Sequence, residues 1–324
     1  MIFLTGATGL VGSQIAKRLL EQNYPVRALK RKNSDLLLVE DIAHLIQWVE
    51  GDIMDVLLLN DCIKGVDSII HSAALVSFSK KREEQMMKTN IDGTANLVNI
   101  ALKHNIGRFY HISSVAALGR GKSEVIDETS KWEDSDENTN YARSKYMAEL
   151  EVWRGIEEGL SAVIINPSVV LGPGIINNGS TKIFKYVWNK SPFYTPGELN
   201  YVDVRDVAEV VIRLIEKNIY TGRFILNAGK ISYKDLFARI AVNFNKRPPF
   251  FEANVLLSEI AWRAEALKAL FTGSDPVITK ETARISRLKY FYDNSKVSAK
   301  LNFNFRDIND TIGWTCDVLA KRGM

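Results

Sequence analysis

At 324 residues, with 46% hydrophobic and 25% charged residues, the chain has the composition of an ordinary globular protein, which excludes disordered, fibrous and disulfide-stapled classes. Lys and Arg number 42 against 38 Asp and Glu, and the formal charge of +4 is spread along the chain, without the basic stripe or tail of a dedicated nucleic-acid binder. The two cysteines, Cys62 and Cys316, stand in no metal-ligand spacing and suit a reducing compartment.

Met1-Ile2-Phe3-Leu4 runs straight into a glycine turn and lacks the pattern of a secretory signal. The most apolar helical stretch, Val255 to Phe271, carries Glu259, Arg263, Glu265 and Lys268, so no transmembrane segment is expected and the default location is cytoplasmic. Ordinary core packing is the expected use of that stretch, ahead of a dimer contact or an interfacial membrane patch.

Short β-branched runs alternate with stretches of helical period through the first half. Strands are predicted at Ile2–Thr5, Val26–Lys30, Leu45–Val49, Ser68–His71, Arg108–Ser113 and Ala162–Asn166, and helices at Leu10–Glu21, Val56–Ile63, Glu83–His104 and Tyr141–Glu158. Right-handed crossovers make this an α/β, doubly wound parallel sheet of the Rossmann type. After Asn166 helices dominate, with short strands near Asn200–Val202 and Arg223–Asn227. The expected division is a dinucleotide-binding domain over 1–166 and a smaller, mostly helical substrate domain over 167–324, with about 200–228 returning to the large sheet.

The junction Gly6-Ala7-Thr8-Gly9-Leu10-Val11-Gly12 follows a strand and opens a helix. There a backbone can approach a pyrophosphate seated at the positive helix N-terminus. Gly6 permits the tight turn, Gly9 the close approach and Gly12 the helix-on-strand contact, although the spacing departs from Gly-x-Gly-x-x-Gly. The second strand ends in Lys30-Arg31-Lys32, and the first acid is Asp35. An acid at this position binds ribose hydroxyls of NAD, and a base accommodates the 2′-phosphate of NADP; Lys30 and Arg31 therefore favour NADP, with NAD the alternative. The bland rival is a solvated charge run.

Tyr141 and Lys145 stand at i and i+4 on one helix face. A cation beside a phenol lowers its pKa, which would let Tyr141 exchange a proton near neutrality. Upstream, Ile112-Ser113-Ser114 ends a strand in hydroxyls, and a serine there can hold the oxygen that Tyr141 protonates. Ser113 competes with Ser114 for this role. The four histidines show no metal-ligand cluster, so no metal is expected.

The glycine turn, His71-Ser72-Ala73-Ala74, Asn90, Ser114 and the Tyr141/Lys145 pair resemble the extended short-chain dehydrogenase/reductase family of NAD-dependent epimerase/dehydratase type. Asn166-Pro167-Ser168-Val169-Val170-Leu171-Gly172-Pro173-Gly174 and Tyr201-Val202-Asp203-Val204-Arg205-Asp206-Val207-Ala208 extend the likeness over nearly the whole chain. Within the family it is most similar to the dihydroflavonol 4-reductase-like branch. Gly119 completes a Ser-x-x-x-x-Gly segment like those of relatives, and this selects Ser114.

The resemblance implies that Ser114 orients a carbonyl, that Tyr141 is the general acid or base, and that Lys145 binds nicotinamide ribose while lowering the tyrosine pKa. It also implies a dinucleotide site of Gly6, Thr8, Gly9, Leu10, Val11 and Gly12. Asp52 with Ile53 would contact adenine, Ser72, Ala73, Ala74 and Asn90 would line the cofactor, and Pro167, Val169 and Val170 would abut the nicotinamide. The rival for His71 is a packed strand end, and for Asn90 a bridge between two strands. Phe78, Trp188, Phe193 and Tyr194 are pocket or core, and Lys182–Pro196 with Phe250–Phe271 would set specificity.

Three activities follow. The first is an oxidoreductase passing hydride between NADP and a ketone or alcohol of a small organic substrate. The second is a sugar or nucleotide-sugar epimerase with tightly bound NAD, suggested by Asn166-Pro167; against it, Glu198-Leu199-Asn200-Tyr201 lacks an arginine for a nucleotide diphosphate. The third is a non-catalytic dinucleotide sensor, which the tyrosine–lysine pair disfavours. A dehydratase is disfavoured because Val115 and Ala116 follow Ser114 and supply no acid–base pair. Helices 83–104 and 141–158 resemble those that build the dimer interface in many relatives, which leaves a homodimer through them and a monomer, as in other reductases of this branch, as the two alternatives.

Overall fold

The computed structural model describes residues 1–119, 124–135, 138–253 and 290–324. In chain order the first half contains β1 (Ile2–Thr5), α1 (Leu10–Glu21), β2 (Val26–Lys30), β3 (Gln47–Glu50), α2 (Val56–Cys62), β4 (Ser68–His71), α3 (Glu83–Lys103), β5 (Arg108–Ile112), β6 (Val125–Ile126), α4 (Asn140–Glu157) and β7 (Ala162–Pro167). Then come β8 (Val169–Leu171), α5 (Thr181–Trp188), β9 (Phe193–Tyr194), β10 (Glu198–Asp203), α6 (Val204–Glu216), β11 (Gly222–Leu226), β12 (Gly229–Ser232), α7 (Tyr233–Asn243), β13 (Phe251–Glu252), β14 (Phe291–Tyr292), α8 (Ser295–Leu301) and α9 (Ile308–Lys321).

Seven strands form one parallel sheet in the order β11-β7-β5-β4-β1-β2-β3. Its strands are apolar on both faces because helices cover both. Ile2 and Leu4 of β1 face the core shared with α1 and α6, while Phe3 faces the core beneath α2, α3 and α4. The chain winds outward from β1 through β2 and β3, then returns to the other side of β1 at β4. That reversal opens a crevice at the carboxyl ends of β1 and β4, where doubly wound sheets bind ligands.

The expected elements fall close to their predicted bounds, with one displacement: β3 begins at Gln47, and Ala43–Leu45 is a short 3₁₀ turn to which the Trp48 indole N–H is tied through the Ala43 carbonyl at 3.0 Å. In the second half Gly222–Leu226 joins the large sheet as its edge beside β7. Glu198–Asp203 does not, so of the segments expected to return within about 200–228 only the later strand joins the large sheet. Glu198–Asp203 pairs with β8 and β12 in a three-stranded sheet, because the chain leaves β7 at Ser168 and starts the new sheet at Val169. Leu171, Phe184, Leu236, Ile240, Ile312 and Leu319 form a separate core beneath that sheet. The stretch Val255–Phe271 lies outside the described residues, as does most of Phe250–Phe271. Among the described residues no helix is long and apolar enough to cross a membrane.

Candidate active site

The glycine turn sits at the carboxyl end of β1, and its geometry is that of a backbone cradle. Gly6 has φ +75°, and a Cβ there would lie 2.7 Å from the Ala73 nitrogen and Ser72 carbonyl carbon. A Cβ on Gly12 would lie 2.6 Å from the Gly6 carbonyl carbon. Both contacts are with backbone, which cannot swing away, so only glycine allows the turn to close on β4 and on α1. Gly9 caps α1 with no side-chain hydrogen bond, and the first turn contains no acid. The free N–H groups of this turn and the positive helix end are thus left for an anion. Gly9 is exposed and Thr8, Leu10 and Val11 are half-buried around it. The chain therefore fits the pyrophosphate of a dinucleotide.

Flanking residues sort by exposure. Lys30 at the end of β2 pairs with Glu50 of β3 at 3.3 Å, whereas Arg31 is exposed. Asp52 is exposed, with its carboxylate accepting the Met54 N–H at 2.9 Å. Ile53 is buried, packed into the core against Gly93. Beyond β4, the Ser72 N–H donates to the Thr5 carbonyl at 3.2 Å, the Ala73 N–H to the Thr5 hydroxyl at 3.2 Å, and Ala74 is exposed. Buried Pro167 and half-buried Val169 and Val170 lie across the sheet at the end of β7.

Asn90 proves to be a clamp. Its Oδ1 accepts the Leu75 N–H at 2.8 Å, and its Nδ2 donates to the Leu75 carbonyl and to Ser144 Oγ, each at 3.0 Å. Both amide hydrogens are used on protein atoms, so the residue holds the loop after β4 to α4. His71 is likewise structural: Nδ1 meets Thr5 Oγ1 at 2.8 Å and Nε2 meets Thr94 Oγ1 at 2.9 Å. Burial, helped by the Lys145 charge, lowers its pKa to about 3.

The tyrosine helix α4 is capped by Thr139, whose hydroxyl accepts the Ala142 N–H at 3.0 Å. Tyr141 follows in its first turn, its phenol near the Ser114 side chain, whose hydroxyl accepts the Ala116 N–H at 3.2 Å; Phe78 meets the Tyr141 ring edge-on at 6.0 Å. Strand alternation puts the two serines on opposite sides of β5. Ser113 Oγ donates to Glu149 at 2.8 Å, which leaves Ser114 as the hydroxyl at the phenol. Lys145 is buried, and its ammonium donates to the Ile112 carbonyl at 2.9 Å. Burial lowers the Lys145 pKa to about 8, opposed by the Glu149 carboxylate.

One expectation is corrected. The Tyr141 phenol lies above its ordinary value, because burial raises it and only the neighbouring Ser114 side chain pulls it down. The lowering expected from Lys145 is absent in the protein alone, since the ammonium is engaged by a carbonyl one strand away.

Glu149 is the residue the sequence did not single out. It is fully buried and also accepts from Asn166 Nδ2 at 2.9 Å and from Arg223 of β11. Its signal was present as the next i+4 step after Tyr141 and Lys145, but a Glu in a helix rich in charges reads as a solvated face. Trp188 and Tyr194, two of the aromatic residues weighed for pocket or core, pack on the core of the second half, and Phe193 is exposed. No group of His, Cys, Asp and Glu able to hold a metal occurs among the described residues.

The model of the NAD dependent epimerase/dehydratase family matches residues 2–229. A Synechocystis sp. protein named after dihydroflavonol 4-reductase is 31% identical over 324 residues, covering 96% of this chain and 93% of its own. Cinnamoyl-CoA reductase 1 of Petunia hybrida is 31% identical over 265 residues, 76% of this chain and 78% of its own. Among solved structures, gox2253 superposes with a TM-score of 0.84 at 32% identity, covering 100% of this chain and 98% of its own. The Bordetella bronchiseptica enzyme WbmH, in complex with NAD+, shares the fold with a TM-score of 0.78 at 21% identity, over 100% and 99% of the two chains.

Proposed function

The chain belongs to the NAD dependent epimerase/dehydratase family, the extended short-chain dehydrogenases/reductases, and is an NAD(P)-dependent oxidoreductase; from that premise we propose that it is an NADP-dependent reductase of a ketone on a small organic substrate. The observation that carries this reading is the meeting of the Ser114 hydroxyl and the Tyr141 phenol at the carboxyl edge of the sheet, with Ser113 engaged elsewhere. The reductase names of the two relatives support the direction of the reaction.

The glycine turn and the first turn of α1 hold the pyrophosphate. Exposed Arg31 is the ligand for a 2′-phosphate, and Lys30, paired with Glu50, is the weaker one. When bound, the dinucleotide supplies the hydride. Ser114 donates to the substrate oxygen and Tyr141 delivers the proton to that same oxygen. Lys145 supplies the positive charge and would hold the nicotinamide ribose. The raised phenol pKa suits reduction, because Tyr141 then stands protonated as a proton donor at neutral pH. Pro167, Val169 and Val170 exclude water from the nicotinamide face.

A second reading, epimerisation with tightly bound NAD, rests on the pairing of Lys30 with Glu50, which leaves only the exposed Arg31 and Lys32 beyond the strand as bases for a 2′-phosphate. Titration of the purified protein with NADPH and NADH, followed by a panel of carbonyl substrates, separates the two. Tighter binding of NADPH and its oxidation with a ketone are expected. A preference for NADH removes the role of Arg31, and NAD retained through purification points to the epimerase.

A further inference from the structure

Glu149 lies on the buried face of α4, one helical step of four residues beyond Lys145 and two beyond Tyr141. A carboxylate buried completely is tolerated only when charge and hydrogen bonds compensate it. Its partners come from three strands: Ser113 after β5 at 2.8 Å, Asn166 of β7 at 2.9 Å and Arg223 of β11. The Asn166 amide that binds Glu149 also donates to the Ser114 carbonyl at 2.9 Å. Ser114 is thus held from both sides, through its chain neighbour and through its own carbonyl, by groups anchored on one carboxylate.

The geometry points to Glu149 as a positioning residue for the proposed reduction, fixing Ser114 at the phenol and keeping Lys145 cationic beside it. This inference rests on the reductase reading for its consequence in turnover, but not for its electrostatics. The charged and titratable groups around the pair are Arg223 from β11, His111 from β5, His71 from β4 and Tyr141 on α4. Both imidazoles are held neutral by burial. Glu149 is therefore the anion that offsets the desolvation of the Lys145 ammonium. A carboxylate that served only as the partner of Arg223 would leave Lys145 and Ser114 indifferent to its charge.

The test is NMR titration of the full chain carrying ¹³C-labelled lysine, with the Lys145 signal assigned by its loss in Lys145→Arg. The midpoint in the native protein is expected near about 8. In Glu149→Gln it falls by roughly one unit or more, because an adjacent anion has been removed. Glu149→Gln/Arg223→Met, which leaves no unpaired guanidinium, shows a smaller fall in the same direction, because a cation is lost with the anion, and it serves where the single variant is unstable. With a ketone substrate, kcat drops by about tenfold or more while the NADPH Kd stays within about threefold, and the basic limb of the pH profile moves to lower pH. Native Lys145 midpoints in both variants, or failure of both to fold, overturn the inference and make Glu149 a purely structural ion pair. An inactive native enzyme overturns the reductase reading instead, and the lysine titration still decides the role of Glu149.

Discussion

The two ends of the candidate site are made of different materials. At β1 and α1 the cradle is bare backbone: Gly6, Gly9 and Gly12 function by lacking side chains, and the anion is met by N–H groups and a helix end. At α4 the working groups are side chains, and they are held by buried polar partners, Ser144 and Asn90 on one side and Glu149, Asn166 and Arg223 on the other. The first end is intolerant of added atoms. The second is sensitive to the removal of a hydroxyl or a charge, because its buried polar groups depend on one another. Such a division suits an enzyme whose cofactor is recognised by shape and whose chemistry depends on proton placement.

The contrast can be broken first at Gly12. Gly12→Val places branched carbon against the Gly6 carbonyl, a backbone contact that cannot relax, so dinucleotide binding measured by nicotinamide fluorescence is expected to vanish and thermal stability to fall. Retained binding would show that the cradle is not where the dinucleotide sits. Tyr141→Phe should do the reverse: turnover falls by about 10²–10⁴-fold, the range for a lost general acid, while NADPH affinity and Tm stay close to native. A variant that loses affinity and turnover together would blur the separation of the two ends.

The smallest effect is on acid stability. His71 is neutral when folded, with a pKa of about 3 against 6.5 in the unfolded chain. The unfolded state therefore binds more protons between these values, and stability declines as pH falls through that window. Denaturant unfolding at pH 7 and at pH 4 should show this decline. His71→Asn, which cannot be protonated there, should lessen the dependence, with His111 keeping the remainder, even though it lowers stability at neutral pH.

Legibility in the sequence follows the same division. Backbone features announce themselves through residue type: three glycines between a strand and a helix, and β-branched runs whose bounds the structure matches within a residue or two, apart from the displaced start of β3. Tyr141 and Lys145 were legible because their i, i+4 spacing is a local property. Glu149 was not, because its meaning depends on β5, β7 and β11 converging beneath α4, three strands up to 74 residues away in the chain. The clamp made by Asn90 was hidden for the same reason: its partners, Leu75 and Ser144, belong to a loop and a helix that meet only in the fold. The separate small sheet was missed because β8 follows β7 after one residue, and nothing in its composition marks the change of sheet.

The central claim, that hydride passes from the nicotinamide to a carbonyl carbon whose oxygen lies at Ser114 and Tyr141, is tested most directly with NADPH deuterated at its transferable position. Mass spectrometry of the alcohol formed from a ketone substrate should show one deuterium bound to carbon, and Tyr141→Phe should form almost none of that alcohol. Product without deuterium, or undiminished transfer in Tyr141→Phe, would contradict the account.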